Sequence, residues 1–250
     1  MAIKNNGGVR LSDTRSERRH KIASNMSFAA SEAYKLLRTN LMFSFSESGK
    51  CRIIGMTSSF RGEGKSLTSV NLAYTLAETQ KKVLLIEGDM RLPTLSQRLR
   101  LNATPGLSNL LAGISTIEES IQQFVVETDD DADIIVDVLV SGDVPPNPSE
   151  LLGSEHASGL LNLLRNNYDY IIFDLPPVTA VTDALVVSKM VDGMVVVVRN
   201  NHAVRGALAE TIRQLKLVDA HILGFVFNGA TESGSSYYKG KYYKGNYYKK

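Results

Sequence analysis

Apolar residues recur along this chain in two alternating rhythms. From about Ser27 to Phe45, Ala30, Ala33, Leu37, Leu41 and Phe45 return at spacings of three and four, the period of an amphipathic helix. Arg52-Ile-Ile-Gly-Met-Thr57 is instead a continuous apolar run that ends in a Ser/Gly-rich loop, as a strand entering a turn does. The alternation continues with a helix over 67–79, a strand over 83–87, and two or three short helices between 95 and 125, broken by Pro105-Gly106 and Gly113. A strand over 134–140, a helix over 149–166 and a strand over 170–174 follow. The pattern closes with a helix over 183–190, a strand over 194–198, a helix over 204–217 and a strand over 222–227. Strands that read as unbroken apolar runs are buried on both faces, and helices between them supply parallel crossovers. The prediction is an α/β fold: a doubly wound, mostly parallel sheet with helices on both faces.

Chemistry concentrates where predicted strands end. Ser59-Phe-Arg-Gly-Glu-Gly-Lys-Ser66 lies between the first strand and the next helix, the setting of a P-loop. Arg61, Gly62, Glu63, Gly64 and Leu67 complete the candidate cradle, whose backbone N–H groups and helix dipole attract phosphate. Lys65 is placed to reach the β and γ phosphates, and the Ser66 hydroxyl to ligate Mg²⁺. Ser59 stands where the strict motif has Gly, so the match is to a relaxed P-loop. Asp174 ends a buried strand and suits the Mg²⁺ role of a Walker B aspartate. Glu87, Asp89 and Arg91 mark the end of the second strand, where two carboxylates beside a nucleotide could position or deprotonate a nucleophile, and Asp89 is a further candidate for the Mg²⁺ site.

Composition narrows the rest. The 250 residues are 43% hydrophobic and 22% charged, so a sizeable core is affordable and bulk disorder is excluded. Cys51 is the sole cysteine, which excludes a disulfide framework and any multi-Cys metal or iron–sulfur site. No run of about 18 apolar residues predicts a membrane span. Residues 1–25 lack the apolar centre of a secretory signal, so the expected location is the cytoplasm or the inner face of a membrane through a partner. The net charge of +2 gives no reason to expect nucleic-acid binding, yet it is unevenly spread. Residues 1–22 carry +4 and residues 237–250 carry +5, around an acidic body. Three units are therefore expected: a basic flexible arm over 1–26, a P-loop domain over 27–232, and a disordered tail over 233–250.

That tail holds six of the ten tyrosines, as the pairs Tyr237-Tyr238, Tyr242-Tyr243 and Tyr247-Tyr248, punctuated by Gly, Lys and Asn. It has no aliphatic residue to bury and suits a flexible phosphoacceptor. Three phosphates, each about −1.5 to −2, would cancel its charge and reverse its attraction to the body.

Taken together, the P-loop, the Glu87-x-Asp89-x-Arg91 segment and Asp174 resemble the deviant-Walker ATPases. Within them the chain resembles the bacterial tyrosine kinases of capsule and exopolysaccharide synthesis, over nearly its whole length from about Ser31. Val140-Ser-Gly-Asp-Val-Pro-Pro-Asn-Pro-Ser-Glu-Leu-Leu152 is similar to that family's loop. Glu32-Ala-Tyr-Lys-Leu-Leu-Arg38 is similar to its oligomerisation motif, with Lys35 for an arginine. Glu87 replaces the usual first aspartate of the acidic segment, and Arg61 a frequent proline. The resemblance implies ATP-dependent tyrosine autophosphorylation with Mg²⁺, Asn228 at the adenine, and a homo-oligomer, expected to be a ring. It also implies a transmembrane polysaccharide co-polymerase whose cytoplasmic tail activates a separate kinase chain, and a cognate tyrosine phosphatase. The competing reading is a partition or cell-division-positioning ATPase, a nucleotide-switched binding module. Those proteins place a lysine where this chain has Phe60 and lack a tyrosine-dense tail.

Overall fold

The computed structural model describes residues 26–45, 51–127 and 133–230. The basic N-terminal arm, most of the acidic run between Glu127 and Asp133, and all six tail tyrosines lie outside the described residues.

Seven strands form one sheet: β1 (Arg52–Ser58), β2 (Val83–Glu87), β3 (Ile121–Val126), β4 (Ile134–Leu139), β5 (Tyr170–Asp174), β6 (Gly193–Arg199) and β7 (Ile222–Asn228). Their order across the sheet is β3-β4-β2-β5-β1-β6-β7. All neighbours run parallel except β3, which pairs antiparallel with β4 from Ile121 opposite Leu139 to Val126 opposite Ile134. Helix α1 (Phe28–Phe43) precedes β1, and α2 (Lys65–Ala77) follows it. Between β2 and β3 come α3 (Leu95–Leu99), α4 (Leu107–Leu111) and α5 (Ile117–Ser120). Helices α6 (Pro148–Leu152) and α7 (Glu155–Leu164) precede β5, with α8 (Asp183–Val187) after it and α9 (Arg205–Leu217) between β6 and β7.

Successive side chains of a strand point to opposite faces, and β2 shows the consequence. Val83 and Leu85 enter the core beneath α1, α2 and α3, whereas Leu84 and Ile86 enter the core beneath α4 and α6–α9. Each side chain of β2 is buried, which is why the strand reads as an unbroken apolar run.

Three local expectations are corrected. The helical region expected to reach residue 125 ends at Ser120, where a one-turn helix capped by Thr116 and Glu119 gives way to β3. β-branched Ile121, Val125 and Val126 favour the pleated surface offered by β4. The helix expected over 149–166 is two helices, because Gly153 ends the first and Ser154 caps the second through the N–H of Ala157. Helix α2 also begins at Lys65, two residues earlier than the apolar period alone indicates.

Candidate nucleotide and phosphotransfer site

Parallel strands carry their C-terminal ends to one sheet edge, where ligands bind in open α/β folds. The loops after β1, β2, β5 and β7 therefore converge there. The loop after β1 turns through Gly62 and Gly64, with φ of +82° and +92°, values that favour glycine. Gly64 caps the 13-residue α2 with no side-chain hydrogen bond. The first-turn amides, Lys65, Ser66 and Leu67 among them, are thus left to an anion in the loop.

The loop is anchored from outside. Glu63, 1% exposed, accepts hydrogen bonds from the N–H of Ser59 (2.8 Å) and Phe60 (2.9 Å), so its carboxylate shapes the loop entrance. The Ser59 hydroxyl accepts from Thr211 at 2.9 Å, and Thr179 donates to the Ser59 carbonyl. Arg199 donates to the Gly62 carbonyl at 2.9 Å, and His202 Nε2 lies 3.2 Å from the Arg61 carbonyl. Asn228, at the end of β7, donates its amide to the Glu63 carbonyl at 2.9 Å. A side chain at Gly64 would collide with that same amide.

Lys65 lies at the centre. Its Nζ is 3.1 Å from Asp89 Oδ2 and 3.7 Å from Asp174 Oδ1, with all three residues buried. Asp174 Oδ1 also accepts from the Ser69 hydroxyl at 3.4 Å, and the nearby Ser66 hydroxyl favours its charged form. Its Oδ2 is buried with no hydrogen-bond partner among the described residues. Burial pushes this carboxyl above the usual range, against the pull of Lys65. A buried, unpartnered carboxylate oxygen beside a serine hydroxyl fits a hydrated divalent cation held by Ser66, whose water Asp174 would accept.

Glu87 and Asp89 differ in what they touch. Glu87 Oε1 accepts from the N–H of Thr94 and of Leu95 (2.8 Å), and its Oε2 from Ser141 N–H (3.2 Å). The carboxylate is thus bound to three backbone amides and ties α3 and the loop after β4 to β2. Burial raises its pKa, partly opposed by those amides. Asp89 offers one oxygen to Lys65 and the other to the N–H of Leu92 at 3.3 Å. Arg91, expected beside the nucleotide, is held by Asp183 through Nε (3.1 Å) and Nη2 (3.2 Å), and by the Ser149 hydroxyl at 3.1 Å. Ser149 in turn donates to Asp183, a wholly buried residue. Sequence reasoning did not single out Asp183, which is 92 residues from Arg91; Ser149 lay inside the quoted loop but without a role.

The proposed oligomerisation residues are on α1. Glu32 and Lys35 pair with each other at 2.9 Å on its exposed face. Arg38 instead donates to the Thr75 carbonyl of α2 and lies 3.9 Å from Glu78, within its own chain.

A glycine loop between a buried strand and a helix, with a lysine set between two strand-end carboxylates, defines a P-loop nucleotide-binding domain. Residues 51–223 match the family described as "AAA domain". The chain is 35% identical to the tyrosine-protein kinase YwqD of Bacillus subtilis over 95% of both chains. Its fold matches the kinase domain of the Escherichia coli tyrosine kinase ETK with a TM-score of 0.72 and 32% identity, over 81% of this chain and 78% of that one. The chain belongs to the bacterial tyrosine-protein kinase family. The septum site-determining protein MinD of Pyrococcus horikoshii, complexed with Mg-ADP, is a more distant structural relative: TM-score 0.57, 25% identity, 73% and 72% of the two chains. The partition-type reading is accordingly set aside.

Proposed function

We propose that this kinase transfers the γ-phosphoryl group of MgATP to the tyrosines of its own C-terminal tail, and so regulates capsular or extracellular polysaccharide synthesis and export. The observation that carries this reading is the position of Lys65 Nζ between Asp89 and Asp174 at the start of α2. The loop amides and the first turn of α2 bind the phosphates, and Asn228 with the loop after β6 borders the base. Lys65 exchanges its carboxylate partners for phosphate oxygens. Bound Mg²⁺ supplies neutralisation of the phosphate charge, held through Ser66 with Asp174 behind it. Once Lys65 has turned to phosphate, Asp89 is left to accept or orient the phenolic proton of an incoming tyrosine. Glu87 suits a scaffolding role, because its oxygens already serve three amides.

Phosphoryl transfer needs little covalent help from protein, so positioning and charge account for the rate. Among the described residues no helix is long and apolar enough to cross a membrane. The reading also includes recruitment by a transmembrane polysaccharide co-polymerase through its cytoplasmic tail, a homo-oligomeric ring through α1, and reversal by a tyrosine phosphatase. The test is intact-mass spectrometry of the full chain with MgATP, with and without the activator's cytoplasmic peptide, beside Lys65→Met. Mass additions of about 80 Da, mapped to the tail and absent in the variant, are expected. ATP hydrolysis without added mass under both conditions would overturn the reading.

A further inference from the structure

The loop after β4 is fastened to the acidic segment at both ends: Ser141 N–H donates to Glu87, and Ser149 holds Arg91. Between those ties it lines an open cavity of about 520 Å³, within the range of small-ligand pockets. Ile114, Pro145, Pro146 and Leu151 give it apolar walls, and Asp143 and Glu150 give it negative charge. Ser108, 4% exposed, also lines it, and its hydroxyl has no hydrogen-bond partner among the described residues. None of these groups has a task in the phosphotransfer chemistry above. Together they suit an aromatic ring with a phenolic hydroxyl, followed by a cation.

The C-terminal tail supplies that combination with a fixed period. Tyr-Tyr-Lys recurs at 237–239, 242–244 and 247–249, every five residues, with no acidic residue among them. Three strand steps separate β1 from β4 in the sheet, about 14 Å at roughly 4.8 Å each. Five extended residues span at most about 17 Å. The repeat length is therefore comparable to the lateral separation of the P-loop strand from β4, whose following loop lines the cavity.

We infer that the cavity walled by Ser108, Ile114, Asp143, Pro145, Pro146 and Glu150 docks one Tyr-Tyr-Lys unit of the tail while the adjacent unit lies at the γ-phosphate. This rests on the proposed tail phosphorylation and adds a subsite to it. A tyrosine ring packs on the prolines and Ile114, its hydroxyl meets Ser108, and the lysine meets Asp143 or Glu150. A phosphorylated unit brings about −1.5 to −2 charges per phosphate and is repelled by the two carboxylates. The cavity therefore accepts only unmodified units, which gives phosphorylation a direction along the tail.

Glu150→Lys and Ile114→Asp, both at exposed positions away from the reacting atoms, test this in the full chain. Two peptide substrates are compared: one with two Tyr-Tyr-Lys units at the native spacing, one with three extra glycines between them. The wild-type chain is expected to show a KM about tenfold lower for native spacing, the scale of one lost aromatic anchor, with kcat unchanged. Both variants are expected to abolish that preference while still phosphorylating the spaced peptide. Equal KM values for the two peptides with wild type would overturn the docking subsite. An independent arm replaces Tyr242 with p-benzoylphenylalanine in the full chain and maps photocrosslinks. Crosslinks on residues 108–114 or 143–151 support the subsite, and crosslinks confined elsewhere overturn it. If wild type with MgATP and activator peptide phosphorylates neither substrate and adds no phosphate to its own tail, the tail-phosphorylation reading fails; the crosslinks still report on docking alone.

Discussion

The two halves of the active edge are built differently. On the nucleotide side, the P-loop is held by Thr211, Thr179, Arg199 and Asn228, and its own Glu63 fills the amides at its entrance. On the acceptor side, the loop after β4 is tied at Ser141, at Asp143 through Asn109 (2.8 Å) and at Ser149, and beside it lies an open cavity. One half is set before any ligand arrives; the other leaves room for a chain to enter. A nucleotide is always the same shape, so a preorganised cradle serves it. A repeating peptide must be gripped, released and gripped again.

The largest effect should come from the pivot between the halves. Lys65→Met should cut phosphate incorporation by about 1,000-fold, in line with loss of a charge-stabilising group, while circular dichroism shows the fold retained. Asp89→Asn and Glu87→Gln should then separate chemistry from scaffolding. The first should lower the rate by about 100-fold, the scale of a lost general base. The second should cost about 1–3 kcal/mol of stability through mispaired buried amides. Its effect on rate should stay within tenfold in a single-turnover assay. The reverse pattern would mean that Glu87 is the base.

The Arg91–Asp183 pair should be asymmetric. Arg91→Ala strands a wholly buried carboxylate and should cost about 2 kcal/mol in urea unfolding. Asp183→Asn leaves an arginine that is 40% exposed in its side chain and should cost about half as much. Equal losses would mean that the acceptor side is held by something other than this pair.

The smallest effect belongs to the far end of β1, remote from both halves. Cys51 is buried, and burial pushes its thiol from 9.0 to about 11. The folded state therefore favours the thiol. That contribution is complete below pH 9 and is lost as pH rises toward 11. Alkylation by iodoacetamide at pH 8 should be far slower in the native protein than in urea, and no faster with nucleotide bound.

The nucleotide half was legible because its signals are local. A strand, a glycine loop and a lysine within fourteen residues define the P-loop, and Asp89 and Asp174 stand at the ends of apolar runs whose parallel register fixes where they meet. Glu87 was readable as an acid at the site but not as a ligand of backbone amides, since those partners lie on α3 and after β4. The partner of Arg91 was hidden for a related reason: Asp183 starts α8, and nothing near either residue signals the other. Strand β3 was hidden because Ile121-Gln-Gln-Phe-Val-Val126 is short and follows a capped helical turn. Its identity comes from pairing with β4 across the hairpin.

Asn228 closes β7 with its amide on the P-loop carbonyl of Glu63, and the tail leaves the chain only a few residues later. The strand that braces the nucleotide cradle is thus also the last strand before the tyrosine-rich segment. On the proposed tail phosphorylation, a pull on that segment would reach the cradle through this one amide.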